Sequence, residues 1–352
     1  MEKLLILIPV FNDWTSAGKL LARLDDELAQ TDLDARVLLI DDGSTELPRA
    51  DFATISGQAI RAVDILHLNR NLGHQRAICI GLCHATTHIP CEKIVVMDAD
   101  GEDDPRYIPQ LLAKSDAEGG KVVFAERTKR SENFVFRVLY FLYCQLHRLL
   151  VGHRVRVGNF SVLPFERAQS LTVAPEAWNH YAAAVFATKI PYTTIPTARG
   201  KRIDGESKMN LVSLVMHGLS AIAAFSDRVG ARLLILVSSL IVLVFFALLV
   251  VIGIRLGTNW AIPGWATYTA GLLLVVLVQL ICLALVFCIL TLANRTGSAF
   301  LPIRDYGYYV GAVQNVYQRP AARLYGTVSG DLFSMVENAS LSLMNLPNSL
   351  MP

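Results

Sequence analysis

Asp98-Ala99-Asp100 closes an apolar run, Ile94-Val95-Val96-Met97, and opens an acidic stretch, Gly101-Glu102-Asp103-Asp104-Pro105. Residues i and i+2 of a strand point the same way, so both carboxylates are expected to face one cavity. Paired carboxylates at a loop edge are hard oxygen ligands. They suit Mg²⁺ or Mn²⁺, with substrate phosphates and water completing the shell. Asp-x-Asp alone is common in solvated loops; its place at the end of a strand makes it informative. A second acidic turn, Asp41-Asp42-Gly43-Ser44, ends another apolar run. An ordinary turn is the alternative reading there.

Other chemistries lack their fingerprints. No GxxxxGK[ST] is present and no GxGxxG follows a strand, which argues against a P-loop ATPase and a dinucleotide oxidoreductase. The 6 cysteines form no CxxC pair. Cys79, Cys83, His84, His88 and Cys91 cluster in sequence, but the glutamate of HExxH is missing. Buried thiols on a core helix are the better expectation than zinc.

These residues need a scaffold, and the pattern supplies one. Residues 4–10 are continuously apolar, as buried parallel strands are. Strands are expected at 36–40, 63–68, 93–97 and 121–125, with helices at 15–29 and 73–85 and another starting near Pro105. Such alternation predicts an α/β, Rossmann-like sheet with ligands beyond the carboxyl ends of its strands.

Hydrophobic residues make up 53% of the 352 and charged ones 18%, with mean hydropathy +0.41. Disorder as the main state is thereby excluded. Net charge is +2, too near neutral for a nucleic-acid binder. The apolar excess lies in residues 233–254 and 272–292. The first run alone spans about 33 Å as a helix, enough for a bilayer core. A pair of buried core helices is the alternative. Met1 to Phe11 is too short for a span and reads as a strand rather than a signal peptide. Lys208, Arg228 and Arg232 precede the first span, Arg295 and Arg304 follow the second, and only Arg255 lies between. That bias predicts a catalytic domain and both termini in the cytosol. Residues 134–150 and 211–227 show polar residues at three-to-four spacing, fitting amphipathic helices either in the membrane interface or over the sheet.

Ile8-Pro9-Val10-Phe11-Asn12-Asp13, Asp41-Asp42-Gly43-Ser44, Asn69-Arg70-Asn71-Leu72-Gly73-His74 and the run 98–105 stand in one order. In that order they resemble family 2 glycosyltransferases of the GT-A fold. The two C-terminal spans narrow the resemblance to the polyprenyl-phosphate glycosyltransferases, relatives of dolichol-phosphate mannose synthase and of bacterial O-antigen-modifying glucosyltransferases. It covers about residues 3–320. It implies a GT-A catalytic domain over 1–209 (including the 134–150 helix), a juxtamembrane helix over 210–229, a membrane hairpin over 230–293 and a cytosolic tail over 294–352. It implies transfer of one sugar, with inversion, from a UDP- or GDP-sugar to a polyprenyl phosphate at the cytoplasmic membrane. Homo-oligomers through the membrane segments are also implied.

By the same resemblance Pro9 and Asp13 line the nucleotide pocket and Asp42 contacts the base. Asp98 lies at the nucleotide, and Asp98 with Asp100 holds the metal. Arg127 and Arg130 form a basic pair. Arg202, Gly205, Ser207 and Lys208 match an Arg…Gly-x-Ser-Lys loop that closes over phosphate. The chain departs from the family pattern at Asp13 (usually Glu), at Gly101-Glu102 (usually Leu-Gln), at Asp104 (usually Pro) and at Asn159 (often a candidate Asp base). A lipid monophosphate is already largely anionic near neutral pH, its second pKa being about 6, so a strong base is unnecessary. Cations at Arg127, Arg130, Arg202 and Lys208 would offset the charge of two approaching anions. A positive patch at lipid headgroups is the plainer reading of that set. Transfer to a glycerolipid or polysaccharide, or a non-catalytic GT-A-like scaffold, remain the alternatives in function.

Overall fold

The computed structural model describes residues 2–47, 56–127, 145, 148–152, 157–204, 218–258, 262, 264–296 and 300–319. Strands are β1 (Glu2–Val10), β2 (Leu33–Asp41), β3 (Ile60–Leu68), β4 (Lys93–Val96), β5 (Val122–Arg127), β6 (Ser161–Pro164), β7 (Tyr192–Thr197) and β8 (Val310–Gln318). Helices are α1 (Trp14–Leu28), α2 (His74–His88), α3 (Ile108–Ala117), α4 (Phe165–Thr172), α5 (Tyr181–Ala187), α6 (Ser226–Gly257) and α7 (Trp265–Thr296). One mixed sheet runs β7-β5-β6-β4-β1-β2-β3-β8. Its centre, β4-β1-β2-β3, is parallel. β6 runs antiparallel to β4 and β5, and β8 antiparallel to β3.

Strand period two explains the layering. Leu4, Ile6 and Ile8 of β1 join one core with α1 and α3, while Leu5 and Leu7 join the other with α2, α4 and α5. The expected first five strands and the helices between them are all present. β6, β7 and β8 were not anticipated. The segment 300–318, expected within the C-terminal tail, returns to the sheet, where Asn315 Nδ2 donates to the buried Asp64 of β3 (2.9 Å). Arg36 of β2 pairs with the same carboxylate at 2.6 Å.

Asp25 of α1 is fully buried and accepts from the backbone N–H groups of Ile60 (2.7 Å), Ala59 (2.8 Å) and Gln58 (3.1 Å) and from the Ser56 hydroxyl. Burial alone would raise its pKa; those donors outweigh it and hold the carboxyl below its ordinary value. Asp25→Asn should therefore cost about 3 kcal/mol near neutral pH. The unfolded carboxyl titrates near 3.9, so this stabilisation is complete above about pH 4 and is lost as pH falls below it. Thermal melts of both proteins between pH 7 and pH 3 check this: their midpoints should converge on acidification.

α6 and α7 are long and apolar enough to cross a membrane, their most apolar 18-residue stretches having mean hydropathies of 3.3 and 3.2. They do not form a core. Ile235, Leu243 and Leu272 are each about two-thirds exposed, which leaves a wide apolar surface for a non-aqueous solvent. Ahead of α6, Ala221, Ile222, Ala224 and Phe225 bury against Val151 and Ala183 of α5, so this part of the expected 211–227 helix packs on the α/β domain. Arg232 of α6 donates to the Leu149 carbonyl at 2.7 Å, at the end of the short helical stretch 148–151. Most of 134–150, residues 211–217 and the tail from 320 lie outside the described residues.

Candidate functional site

β1 and β2 end level, with Val10 in register with Asp41, and β4 stops three residues earlier, where Val96 pairs with Leu7; all three run parallel and share one carboxyl edge. Every acidic motif therefore leaves the sheet at one carboxyl rim. Pro9 is buried one residue before that rim. Asp13 precedes α1 and accepts from Ser16 Oγ at 2.6 Å.

The 41–44 turn is mostly structural. Asp41 accepts from the Ser44 N–H (2.9 Å) and lies 2.8 Å from His67 Nδ1. Asp42 is 3% exposed, and its two oxygens accept from the Leu72 N–H (2.7 Å) and the Gly73 N–H (2.9 Å). Burial raises its pKa in spite of those bonds. It fastens the loop leading into α2. Gly43, at φ 70°, lets the two loops touch: a Cβ there would lie 2.5 Å from the Asn71 nitrogen.

The 98–104 run divides its labour. β4 ends at Val96, so Asp98 and Asp100 sit in a turn and the strand argument for their common direction does not apply. The turn brings them together all the same. Burial, then the neighbouring charge of Asp98, raises the pKa of Asp100. Both side chains remain reachable, at 28% and 18% exposure. Asp103 caps the Asp98 N–H (3.0 Å). Asp104 is buried, caps the Arg106 N–H (3.1 Å) and pairs with Arg23 (2.7 Å) and Arg106 (2.6 Å). Burial opposes its charge, but the two guanidinium groups prevail and hold its pKa low. Glu102 forms a forked pair with Arg199, the shortest contact 2.6 Å.

A strap, residues 198–204, lies along this turn. The Gly200 N–H donates to the Glu102 carbonyl (2.8 Å) and the Ile203 N–H to the Asp100 carbonyl (2.9 Å). Gly101, at φ 78°, is where Ile203 packs; a Cβ there would come within 2.3 Å of the Ile203 side chain. The strap brings Arg202 3.5 Å from Asp100 and 3.9 Å from Asp13, and Lys19 of α1 pairs with Asp204 at 2.7 Å. Arg202, Asp13 and Asp100 thus meet at one point. Arg127 ends β5, but its side chain, and all of Arg130, Gly205, Ser207 and Lys208, lie outside the described residues.

Asn159 joins Asp98 rather than standing alone. Its Nδ2 lies 3.4 Å from Asp98 Oδ1 and 2.9 Å from His74 Nε2, and its Oδ1 accepts from Gln75 Nε2 at 3.1 Å. His74 itself is 3.0 Å from Asp98. Partial burial opposes protonation of His74, yet Asp98, Asp103 and Asp42 outweigh it and lift its pKa above the ordinary imidazole value. Gln75, Arg199 and Tyr181 were not anticipated. The one cue for Gln75 is the polar trio His74-Gln75-Arg76 standing ahead of the apolar run 77–83.

Among the described residues no group of three or more His, Cys, Asp or Glu could hold a metal ion. Cys79 and Cys83 are buried on α2, and burial and then His88 push the pKa of His84 down to about 4, as for a neutral core histidine. The Asp98–Asp100 pair fits a divalent ion of the other kind, held by one or two carboxylates and completed by substrate phosphate and water.

Known proteins resemble the chain in keeping with this rim. Residues 5–169 match the profile described as Glycosyl transferase family 2. The undecaprenyl-phosphate 4-deoxy-4-formamido-L-arabinose transferase of Klebsiella pneumoniae is 29% identical over 277 residues, covering 75% of this chain and 80% of that protein. A Bacillus subtilis protein, the uncharacterized glycosyltransferase YkcC, is 26% identical over 329 residues, covering 91% and 96%. Among solved structures, glucosyl-3-phosphoglycerate synthase of Mycobacterium tuberculosis, crystallised with Mn²⁺ and UDP-glucose, superposes with a TM-score of 0.47 at 15% identity, covering 65% of this chain and 80% of that one. The acidic turn and its rim lie inside the matched stretch, so the part of the chain that resembles the family 2 glycosyltransferases is the part that builds the site, and two candidate membrane helices follow it.

Proposed function

We propose that the protein moves a single sugar from a UDP- or GDP-sugar to a polyprenyl phosphate, with inversion, at the cytosolic face of a membrane. The observation that carries this is the meeting of Asp100, Asp13 and Arg202 at the carboxyl rim of a family 2 domain whose chain then enters an apolar helical hairpin. The relatives named for undecaprenyl phosphate support the acceptor class.

Asp98 and Asp100 would hold a divalent ion against the donor diphosphate. Such an ion, when bound, takes up charge on the leaving group. The chain's own residues do the rest. Arg202 leaves its carboxylate neighbours to pair with a phosphate oxygen, to which its planar fork is matched. Lys208, Arg127 and Arg130, matched by the family resemblance, would supply further positive charge for the lipid phosphate. An oxygen of that phosphate attacks the anomeric carbon as the bond to the nucleoside diphosphate breaks on the opposite face. The nucleophile is already anionic, so Asn159 is not needed as a base.

The test is reconstitution: purified full-length protein with labelled UDP- or GDP-sugars, Mg²⁺ or Mn²⁺, and a polyprenyl phosphate in detergent. A labelled product that partitions into organic solvent is expected. No such product with any common donor would overturn the reading.

A further inference from the structure

Asn159 ends a chain of hydrogen bonds that begins at a backbone amide. The N–H of Tyr181, the first residue of α5, donates to Gln75 Oε1 at 2.7 Å. A main-chain N–H can only donate, so the carbonyl of Gln75 is fixed on that side and its NH₂ on the other. That NH₂ donates to Asn159 Oδ1 at 3.1 Å. The NH₂ of Asn159 is thereby turned toward Asp98 Oδ1, 3.4 Å away; His74 Nε2, 2.9 Å from the same nitrogen, accepts from it only when the imidazole proton sits on Nδ1. The two ends of an amide have nearly the same shape; here polarity passes from the main chain through two side chains to a site carboxylate. Ser161 Oγ, 2.6 Å from the Tyr181 hydroxyl, donates to the main-chain carbonyl of Asn159 at 2.8 Å and so holds the backbone from which that side chain projects. Gln75 is 8% exposed, which leaves little room for water to compete.

We infer that Gln75 is a positioning residue for the transfer reaction: it sets the amide polarity of Asn159 and so keeps an N–H donor, not a carbonyl oxygen, against Asp98. The inference rests on the reading of Asp98 as part of the donor site. Reversing Asn159 would set a carbonyl oxygen beside a carboxylate that already faces the charge of Asp100. The two would repel, and Asp98 would lose its place at the metal and diphosphate.

Two substitutions separate polarity from packing. Gln75→Glu still accepts from the Tyr181 N–H but offers Asn159 a second oxygen, which imposes the wrong orientation. Gln75→Met imposes none but leaves that N–H without its acceptor. Calorimetric binding of Mn²⁺ with UDP, and separately with GDP, to the full-length protein reads the site, and thermal melting reads the fold. Gln75→Glu should weaken nucleotide binding about tenfold or more, the range seen when the outer partners of metal ligands are lost. Gln75→Met should weaken it only about threefold while melting lower. A packing role gives the opposite order in binding. In an Asn159→Ala background neither substitution should cost anything further, because Gln75 acts only through Asn159. Should Gln75→Glu fail to fold, the Met variant and its loss of effect beside Asn159→Ala carry the same test. Wild-type affinity in Gln75→Glu, a worse loss in Gln75→Met, or additive losses with Asn159→Ala would overturn the inference alone. Wild-type protein that binds neither nucleotide would overturn the donor-site reading with it.

Discussion

Asp100→Ala should lower the rate of sugar transfer about 1,000-fold, the scale of loss when one preorganised electrostatic contact to a developing charge is removed. The protein should fold as well as before. Burial, and the like charges of Asp98 and Glu102, raise the pKa of Asp100, which means the folded protein holds this carboxylate at a cost. Its removal relieves that cost; the Glu102 N–H loses an acceptor at 3.0 Å. The melting midpoint is expected within a few degrees of wild type while the rate falls by that factor. Initial rates with saturating acceptor, beside a melt of the same preparation, make the comparison. Undiminished transfer in the variant would remove the acidic turn from the chemistry altogether.

Arg202 offers the second large effect. It is the described cation nearest to both Asp13 and Asp100, and it is 24% exposed, so much of its field reaches the site. Arg202→Ala should lower kcat/KM for the donor about 100-fold. Arg202→Lys keeps the charge but loses the planar fork, and should recover roughly tenfold of that loss. The split between the two variants is the useful quantity. Equal defects would make the fork essential; full activity in both would assign diphosphate binding to cations elsewhere, such as Lys208.

The legible parts of the sequence were those with a strong local signal. Residues 4–10 and 37–40 are unbroken apolar runs because parallel strands are buried on both faces, and both lie in strands. β7 gives no such run: Tyr192 and Pro196 are exposed and a proline sits within it. β8 is mostly exposed and follows two membrane-length helices, where no periodicity separates it from a tail. The site divides in the same way. Asp98, Asp100 and Arg202 stand out as charges in recognisable order. Asp103 and Asp104 look just as acidic, but they cap N–H groups, which only the folded turn reveals. Gln75 and Tyr181 are 106 positions apart, and neither is charged, so nothing local couples them.

β8 also governs what can be cut away. Cleaving the chain after the strap would yield a water-soluble fragment on paper, yet it would strip β3 of its antiparallel neighbour and Asp64 of its bond from Asn315. A bare strand edge of that length invites self-association. A tractable soluble version would therefore have to graft residues 300–319 back by a short artificial bridge in place of the hairpin, so that the catalytic body keeps both of its sheet borders without a bilayer.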